Sequence, residues 1–372
     1  MLSRRQILAA ALATPMTARG ATAQREALGM TLSEDQLAAG RALLKAVPSV
    51  DVHSHPGRFF MAGPGGQTPF AASQDEPPFV DRAIARMRLG HVSGVMFAAV
   101  ADHLLLEQSP TGLRAIRDYR PGEAFADYQR QLALLKALVK QGEVTRGLTS
   151  RDIRAAHARG RTACIFSVEG GDYIEDRLDR VAKSYADGVR SVTIIHYYTN
   201  QIGDPQTAPP THGGLTPLGR DVVKEMNRVG MLVDLSHASF DATRQAVEMS
   251  SRPMIISHSN LQAPGLDHPR LVSVEHAKLV TAAGGLIGAL PAGAGQGSFA
   301  QYVDTIFRMV DLLGVDHVAV GTDMDFTFKA VVADYADWGL IPAGLLARGM
   351  GRAEVAKVIG GNFLRLFDAV RV

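Results

Sequence analysis

Cysteine is, with tryptophan, the residue that the chain has least of, and its scarcity excludes a disulfide within the chain. Cys164 is the only cysteine among 372 residues, and it lies inside the apolar stretch TACIFSV. A free thiol in such a stretch usually packs as a small core side chain. We therefore predict that Cys164 is a core residue.

The chain also has little net charge and no long apolar run. Lysine and arginine number 39, aspartate and glutamate 37, and no basic run follows the first residues. We therefore predict no nucleic-acid partner. The apolar stretches are too short to cross a bilayer, so no integral membrane span is predicted. With 46% hydrophobic and 20% charged residues, the composition is that of a soluble globular protein with a large core.

The amino end has the ordered features of a cleavable export signal. Arg4-Arg5 lies in the twin-arginine pattern SRRQIL, a short apolar run follows, and Ala21-Thr22-Ala23 fits an A-x-A cleavage site. We predict a twin-arginine signal over residues 1–23 and a single catalytic domain over residues 24–372. The protein is then expected to be exported, with the periplasm as its destination.

Eight apolar, β-branched segments alternate with helical segments along the rest of the chain. Their number and order predict an α/β fold of the (β/α)8 TIM barrel type, as in metal-dependent hydrolases. A doubly wound open sheet is the alternative, but it requires a glycine-rich phosphate loop, and Gly170-Gly171 is only a pair. The predicted strands cover residues 49–55, 92–100, 162–171, 188–198, 232–237, 254–259, 284–291 and 317–326.

Two histidines stand at the ends of neighbouring predicted strands. The stretch 231–259 is a strand, a helix and a strand, in which LVDLSH ends at His237 and MIISHS contains His258. Two parallel strands joined by one helix lie side by side, and their carboxyl ends face the functional rim of a barrel. A shared metal ion explains two histidines in register better than coincidence does.

Further metal-ligand side chains end other predicted strands at the same rim. Side chains alternate between the two faces of a strand, so His53 and His55 lie on the same face of the first predicted strand. Glu169 lies at the end of the third. A carboxylate between two Zn²⁺ ions reduces their mutual repulsion, so Glu169 is predicted to bridge two ions. The first ion is predicted on His53, His55 and Glu169. The second is predicted on Glu169, His237 and His258.

The fourth and eighth predicted strands end in His196 and Asp323. Asp323 stands opposite the predicted metal ligands, where a carboxylate can accept a proton from the attacking water or orient it. We predict that a water bridging the two ions attacks a carbonyl group, with Glu169 and Asp323 as catalytic residues.

The motifs around these residues resemble the membrane (renal) dipeptidase family of zinc peptidases, whose barrel is amidohydrolase-like. The resemblance runs from about residue 49 to 368 and is most specific in GLTPLGRDVVKEMNRVGMLVDLSH, PMIISHSN, HVAVGTDMDF and GGNFLRLF. It implies a barrel enzyme that hydrolyses dipeptides at a binuclear zinc site, including substrates with a dehydro or D-residue on the carboxyl side. It also implies that His196 contacts the substrate and is a further catalytic residue, that Arg270 binds the substrate carboxylate, and that the protein forms a homodimer.

The chain departs from the family pattern at two positions. The family usually has His-x-Asp on the first strand, where this chain has His53-Ser54-His55, and it usually has a histidine where this chain has Asp172. The first change replaces an anionic ligand by a neutral one and leaves the metal pair more positive by about one charge.

The predicted function is that of a zinc-dependent dipeptidase with a small dipeptide-like substrate. A related amidohydrolase acting on a lactone, an ester or an N-acyl amino acid is the alternative within the enzyme class. A barrel that binds metal or peptide without catalysis is the alternative from another class. Glu169, His237, His258 and Asp323 together disfavour the last of these.

Overall fold

The computed structural model describes residues 29–74, 76–109, 112–266, 268–292 and 296–371. The predicted export signal over residues 1–23, and its boundary with the catalytic domain, lie outside these ranges. In the part of the chain that is described, no helix is both long enough and apolar enough to cross a membrane.

Eight parallel strands form a closed barrel, as the sequence predicts. The strands are β1 (Val50–Ser54), β2 (Gly94–Val100), β3 (Leu106–Ser109), β4 (Gly112–Ala115), β5 (Thr145–Arg146), β6 (Ala163–Glu169), β7 (Val189–Thr193), β8 (Leu232–Asp234), β9 (Ile255–Ser259), β10 (Leu286–Ala289) and β11 (Val318–Val320). The strand order around the barrel is β2-β1-β11-β10-β9-β8-β7-β6, and β2 pairs with β6 from Gly94↔Ala163 to Val100↔Glu169 to close the ring. This closing pair rules out the open doubly wound sheet.

Three of these strands were not expected from the sequence. β3 and β4 form an antiparallel hairpin outside the barrel, and β5 is a two-residue strand beside the start of β6. The hairpin strands LEQS and GLRA are largely exposed, and β5 is too short for a pattern. Without a continuous apolar run, such segments resemble loops in the sequence.

Helices surround the barrel and cover its outer face. Short 3₁₀ turns also occur at Pro56–Met61, Asp172–Ile174, Val315–His317 and Tyr335–Asp337, and a π turn at Lys357–Gly361. The helices are α1 (Glu34–Ala46), α2 (Pro69–Ala72), α3 (Val80–Leu89), α4 (Glu123–Gln141), α5 (Ser150–Ala158), α6 (Asp179–Asp187), α7 (Pro217–Val229), α8 (Phe240–Met249), α9 (Val274–Ala282), α10 (Phe299–Leu313), α11 (Leu340–Ala347), α12 (Arg352–Ala356) and α13 (Asn362–Ala369).

Local sequence signals account for several of the helix ends. Ser33 and Gln36 form a reciprocal capping box at the start of α1, and the Ser239 side chain accepts the Ala242 N–H at the start of α8. The segment 57–78 is rich in Gly and Pro, a composition typical of loops, yet it contains most of the 3₁₀ turn at Pro56–Met61 and all of α2. Because both pieces are short, a composition rule does not detect them.

The barrel is filled with side chains and closed at its amino-terminal end. Residues at or near the start of the strands, such as Val50 and Ile255, form one buried cluster with Phe363 and Phe367 of α13. Cys164 is fully buried, which confirms the predicted core role. Since α13 covers one end of the barrel, the opposite end, at the carboxyl ends of the strands, remains for a functional site.

Candidate metal centre

The predicted metal ligands meet at the carboxyl end of the barrel. His53 and His258 lie within β1 and β9, Glu169 is the last residue of β6, and His55 follows β1 directly. All four are buried, and His237 is buried beside them. The neighbouring strands thus bring together residues that are as many as 205 positions apart (His53 to His258).

Three predicted site residues lie beyond their strands, because β7, β8 and β11 end earlier than the apolar pattern suggests. β7 ends at Thr193, three residues before His196. His237 and Asp323 lie in turns after β8 and β11 and have positive φ angles of 66° and 51°. A left-handed backbone is uncommon for residues other than glycine and is often found at functional sites. The turn, rather than strand alternation, therefore directs these two side chains.

Glu169 occupies the middle of the cluster. Its Oε1 lies 3.1 Å from His237 Nε2 and 3.4 Å from the Nε2 atoms of both His53 and His258. Its Oε2 lies 3.2 Å from His55 Nε2. The ligand atoms of three sets of residues lie within 4.8 Å of one another: His53, His55 and Glu169; Glu169, His237 and His258; and His53, His258 and Asp323.

The contacts inside the cluster are those of a cation site. His237 Nε2 is 3.0 Å from His258 Nε2, and His53 Nε2 is 3.3 Å from His55 Nε2, so two pairs of ring nitrogens face each other. Glu169 Oε1 has no hydrogen-bond partner among the described residues, although it is buried. Lone pairs and an anionic oxygen that converge in a buried space need positive charge between them. The donor set of imidazoles and one carboxylate suits a divalent transition metal such as zinc.

The protonation states of His237, His258 and Glu169 favour metal binding. Burial lowers the pKa of both His237 and His258 well below the ordinary value, so the rings are neutral, the form that ligates metal. Burial on its own would raise the pKa of Glu169. The opposing effect of the neighbouring histidines, led by the charges of His196 and His53, holds that pKa well below its usual value, so Glu169 is a carboxylate. Burial lowers the pKa of His55, but Asp323 and Glu169 outweigh it and raise this pKa to about 10, so His55 has to release a proton when it binds a metal ion.

A second layer of hydrogen bonds orients the imidazoles. Ser257 Oγ lies 3.2 Å from His53 Nδ1 and 3.0 Å from His258 Nδ1, and it donates to Asp234 Oδ2 at 2.6 Å. His55 Nδ1 lies 2.8 Å from the Ala98 carbonyl oxygen. Since these contacts use the Nδ1 atoms of the three rings, their Nε2 atoms face the centre of the cluster.

Asp51 fixes the turn that carries Asp323. It accepts hydrogen bonds from the Thr322 backbone N–H at 2.9 Å, from Thr322 Oγ1 at 2.5 Å and from the Tyr335 hydroxyl at 2.9 Å. Burial raises the pKa of Asp51 to about 6, against the lowering effect of these hydrogen bonds. Asp323 Oδ1 lies 3.2 Å from His55 Nε2, so its carboxylate faces the same space as the metal ligands.

The two predicted substrate-binding residues border this cluster. His196 Nε2 lies 3.5 Å from Glu169 Oε2. Arg270 lies in the segment that follows β9. The pKa of His237 is lowered first by burial and then by the positive charge of Arg270, so the guanidinium lies near the cluster. Arg270 Nη1 is buried and has no hydrogen-bond partner among the described residues. A carboxylate would satisfy it, in keeping with the predicted role.

Sequence reasoning did not identify Asp102, the buried partner of His196. Its Oδ1 lies 2.6 Å from His196 Nδ1. The signal was present, because Asp102 follows the apolar strand GVMFAAV by two residues, as the other site residues follow theirs. Asp172 is also buried, and neither of its carboxyl oxygens has a hydrogen-bond partner in the described part of the chain.

Comparison with known proteins links this geometry to one family. The family model described as "Membrane dipeptidase (Peptidase family M19)" matches residues 37–372. The dipeptidase verJ of Clonostachys rogersoniana is 28% identical over 358 residues, which cover 92% of this chain and 89% of verJ. An uncharacterized dipeptidase of Schizosaccharomyces pombe is 29% identical over 301 residues, which cover 76% of this chain and 72% of that protein.

Solved structures share the fold at lower identity. The probable dipeptidase PvdM from Pseudomonas aeruginosa superposes with a TM-score of 0.75 at 20% identity, covering 91% of this chain and 98% of that one. A metallo peptidase from Rhodobacter sphaeroides, solved with a phosphinate mimic of the dipeptide L-Ala-D-Ala, superposes with a TM-score of 0.72 at 22% identity. That match covers 87% of this chain and 99% of the other.

Proposed function

The chain belongs to the membrane dipeptidase family, a family of metal-dependent peptide-bond hydrolases, and from this premise we propose that it is a binuclear zinc dipeptidase. The observation that carries the proposal is the position of Glu169 between two groups of histidines. One carboxylate oxygen faces His237, His258 and His53, and the other faces His55. A carboxylate shared in this way is suited to bridge two cations.

The five proposed ligands divide into two sets that share Glu169. His53, His55 and Glu169 would hold the first ion, and Glu169, His237 and His258 would hold the second. Imidazole nitrogens with a carboxylate oxygen are ligands that zinc prefers. When bound, the two ions supply a water activated for attack and polarise the scissile carbonyl group.

The chain's own groups complete the reaction. Asp323, whose side chain is 20% exposed, is the carboxylate at the open side of the cluster and is suited to accept the proton of the attacking water and to pass it to the leaving amine. His196 faces the position of the carbonyl oxygen with Nε2 and is suited to stabilise the oxyanion. Glu169, in addition to its ligand role, keeps negative charge at the centre of the site.

The substrate is a free dipeptide whose carboxylate binds Arg270. The buried, unpartnered Nη1 of Arg270 supports this assignment, since a charge-assisted hydrogen bond would satisfy it. The phosphinate mimic of L-Ala-D-Ala held by the Rhodobacter sphaeroides structure supports a D-residue on the carboxyl side as one accepted class.

Metal analysis of matched histidine variants tests the proposal. Wild type is expected to contain two zinc ions per chain and to hydrolyse a panel of dipeptides. His237→Ala and His258→Ala are each expected to lose one ion and nearly all activity. His317→Ala is the control, because that half-buried histidine contacts the Gly285 carbonyl at the other end of the barrel. Full metal content in both site variants would show that His237 and His258 are structural and would refute the metal assignment.

Two properties outside the site complete the proposal. Export through the twin-arginine route is supported by Arg4-Arg5, the short apolar run and the A-x-A site at residues 21–23. Such export carries a protein across the membrane already folded, which suits an enzyme that acquires metal in the cytoplasm. A homodimer rests on the family resemblance and is testable by sedimentation.

A further inference from the structure

His196 lies between two buried carboxylates that contact opposite sides of its ring. Nδ1 is 2.6 Å from Asp102 Oδ1, and Nε2 is 3.5 Å from Glu169 Oε2. Because Asp102 offers a carboxylate oxygen at hydrogen-bond distance, Nδ1 is the nitrogen that donates in this contact. Nε2 is the nitrogen that faces the reaction centre, and Nδ1 is fully engaged by Asp102.

Asp102 is held in place by the segment that carries His196. Its Oδ2 accepts the backbone N–H groups of Tyr197 and Tyr198, both at 3.2 Å. Together with His196 Nδ1, three donors therefore surround a carboxylate that is fully buried. These three hydrogen bonds fix the orientation of the carboxylate. It ties the end of β2 to the turn after β7.

The end of β2 is itself fixed by α4. The Gln131 side chain accepts the Val100 N–H at 2.9 Å and donates to the Val100 carbonyl oxygen at 2.8 Å, as a neighbouring strand would. Gln131 also donates to Asp127 at 2.7 Å. The position of Asp102, two residues after Val100, is therefore determined by rigid elements on both sides.

Asp172 adjoins this arrangement as a neutral carboxyl group. Burial, and then the charge of Asp102, raises the pKa of Asp172 to about 8, and only weaker influences such as the nearby Asn200 amide oppose the rise. Asp102 and Asp172 differ in their hydrogen bonds, because Asp102 has three donors whereas Asp172 has none in good geometry.

We propose that Asp102 is a positioning residue of the hydrolytic reaction, which acts through His196. Its carboxylate binds the Nδ1–H and aims Nε2 at the carbonyl oxygen of the bound substrate. The inference rests on the proposed dipeptidase function, because it requires His196 to stabilise the oxyanion. Asp102 itself touches no substrate, so its effect depends entirely on the presence of His196.

A double-mutant cycle between Asp102 and His196 tests this dependence. His196→Ala is expected to lower kcat about 10²–10³-fold, as removal of one oxyanion donor does. Asp102→Asn is expected to lower kcat about 10²-fold with little change in KM, because the interaction it supports forms in the transition state. In the His196→Ala background, Asp102→Asn is expected to cause no further loss beyond about twofold. Independent, multiplying losses would overturn the proposal.

A spectroscopic measurement separates positioning from general structural damage. In protein labelled with ¹⁵N-histidine, the ring signals that disappear in His196→Ala belong to His196. Wild type is expected to show a proton on Nδ1, where Asp102 accepts it. Asp102→Asn is expected to lose the Nδ1 proton, because the new amide oxygen faces the Tyr197 and Tyr198 N–H groups and its NH₂ faces Nδ1. An Nδ1 proton that remains in Asp102→Asn would overturn the proposal.

Matched variants control the experiment. Asp118→Asn changes an aspartate that binds the Tyr198 hydroxyl at 2.8 Å from the exposed side of the same turn, and it is expected to keep wild-type kcat. If Asp102→Asn does not fold, Asp102→Glu retains the charge but displaces it, and the same cycle applies. If wild type hydrolyses no dipeptide, the proposed function fails, whereas the spectra of wild type and Asp102→Asn still test the pairing with His196.

Discussion

Replacement of Arg270 by alanine tests whether this residue binds the free carboxylate of the substrate. The guanidinium lies beside His237 at the rim, and its Nη1 is buried without a hydrogen-bond partner among the described residues. A buried donor in this state is unfavourable until a ligand satisfies it. The Arg270 guanidinium therefore has a donor that an anionic group of the substrate can satisfy.

The size of the effect follows from the kind of bond that is lost. A hydrogen bond between charged groups contributes about 1.5–3 kcal/mol, which corresponds to roughly 10- to 100-fold in kcat/KM. Arg270→Ala should lose this factor for dipeptides with a free carboxylate. For the same dipeptides with an amidated carboxyl end it should lose much less, because the amide offers no charge to the arginine. Arg270→Lys should recover only part of the loss, since lysine keeps the charge but not the planar pair of donors.

The assay is a cycle of two enzymes and two substrates, with kcat/KM measured for each of the four combinations. Arg252→Ala is the control, because Arg252 precedes β9 at the opposite end of the barrel and its Nη1 contacts the Ala369 carbonyl oxygen at 3.4 Å. Wild-type values for both substrates are expected from this variant. An equal loss for free and amidated substrates in Arg270→Ala would remove Arg270 from carboxylate recognition.

Three further predictions concern charge elsewhere in the chain. His55→Asp should keep two metal ions and move the acidic limb of the kcat/KM profile to higher pH, because an anionic ligand makes the attacking water less acidic; an unmoved limb at equal metal content would show that His55 is not a ligand. Asp172 has a pKa of about 8 in the folded protein against 3.8 ordinarily, so the folded state retains a proton that the unfolded state releases, and stability falls as pH rises from about 4 to 8. Asp172→Asn should remove this pH dependence of the free energy of unfolding, which is at most about 1.4 kcal/mol per pH unit. Chemical denaturation at several pH values measures it, and an equal change of stability with pH in both proteins would contradict the prediction. Replacement of Arg4 and Arg5 by lysine should leave the precursor in the cytoplasm, and normal export and trimming would refute the twin-arginine signal.

The barrel and its metal cluster were predictable because their signals are local. Each strand of the barrel contains a short apolar run, and the ligands on β1, β6 and β9 lie within or directly after such a run. His237 and His258 are joined by a single helix, so their proximity follows from the handedness and spacing of one strand-helix-strand unit. Residue type and position relative to a strand were sufficient here, because the closed barrel itself brings the carboxyl ends of its strands together.

The strand ends and the support of His196 were not predictable in the same way. The residues from Leu235 to His237 are as buried as those of β8, so the apolar pattern does not distinguish the strand from the turn that follows it. The turn is visible only in the backbone, where His237 has a positive φ. Asp102 and His196 are 94 residues apart and follow β2 and β7, which are not neighbouring strands. Their contact therefore depends on the curvature of the whole barrel.

The neutral ligand at position 55 agrees with its surroundings. Phe60 and Phe326 contact the His55 ring at centroid distances of 5.5 Å and interplanar angles of 71° and 88°, and Phe70 stacks on Phe326. An aromatic wall of this kind packs well around an imidazole, whereas it would deprive a carboxylate of its hydration. The carboxyl group gained at Asp172 does not replace the negative charge that the family usually has at position 55, because its raised pKa keeps it protonated at neutral pH.

Glu169 is therefore the single anion among the five proposed metal ligands, because a histidine binds a metal ion as a neutral imidazole. Two divalent ions held by these residues would retain more positive charge than a site with a further carboxylate. Asp323 Oδ1 lies 3.2 Å from His55 Nε2, and His196 Nε2 lies 3.5 Å from Glu169 Oε2, so both groups border that charge. The excess charge favours ionisation of the attacking water at lower pH and weakens it as a nucleophile. Catalysis in this chain should consequently depend more heavily on the placement of His196, and hence on Asp102, than on the basicity of the water.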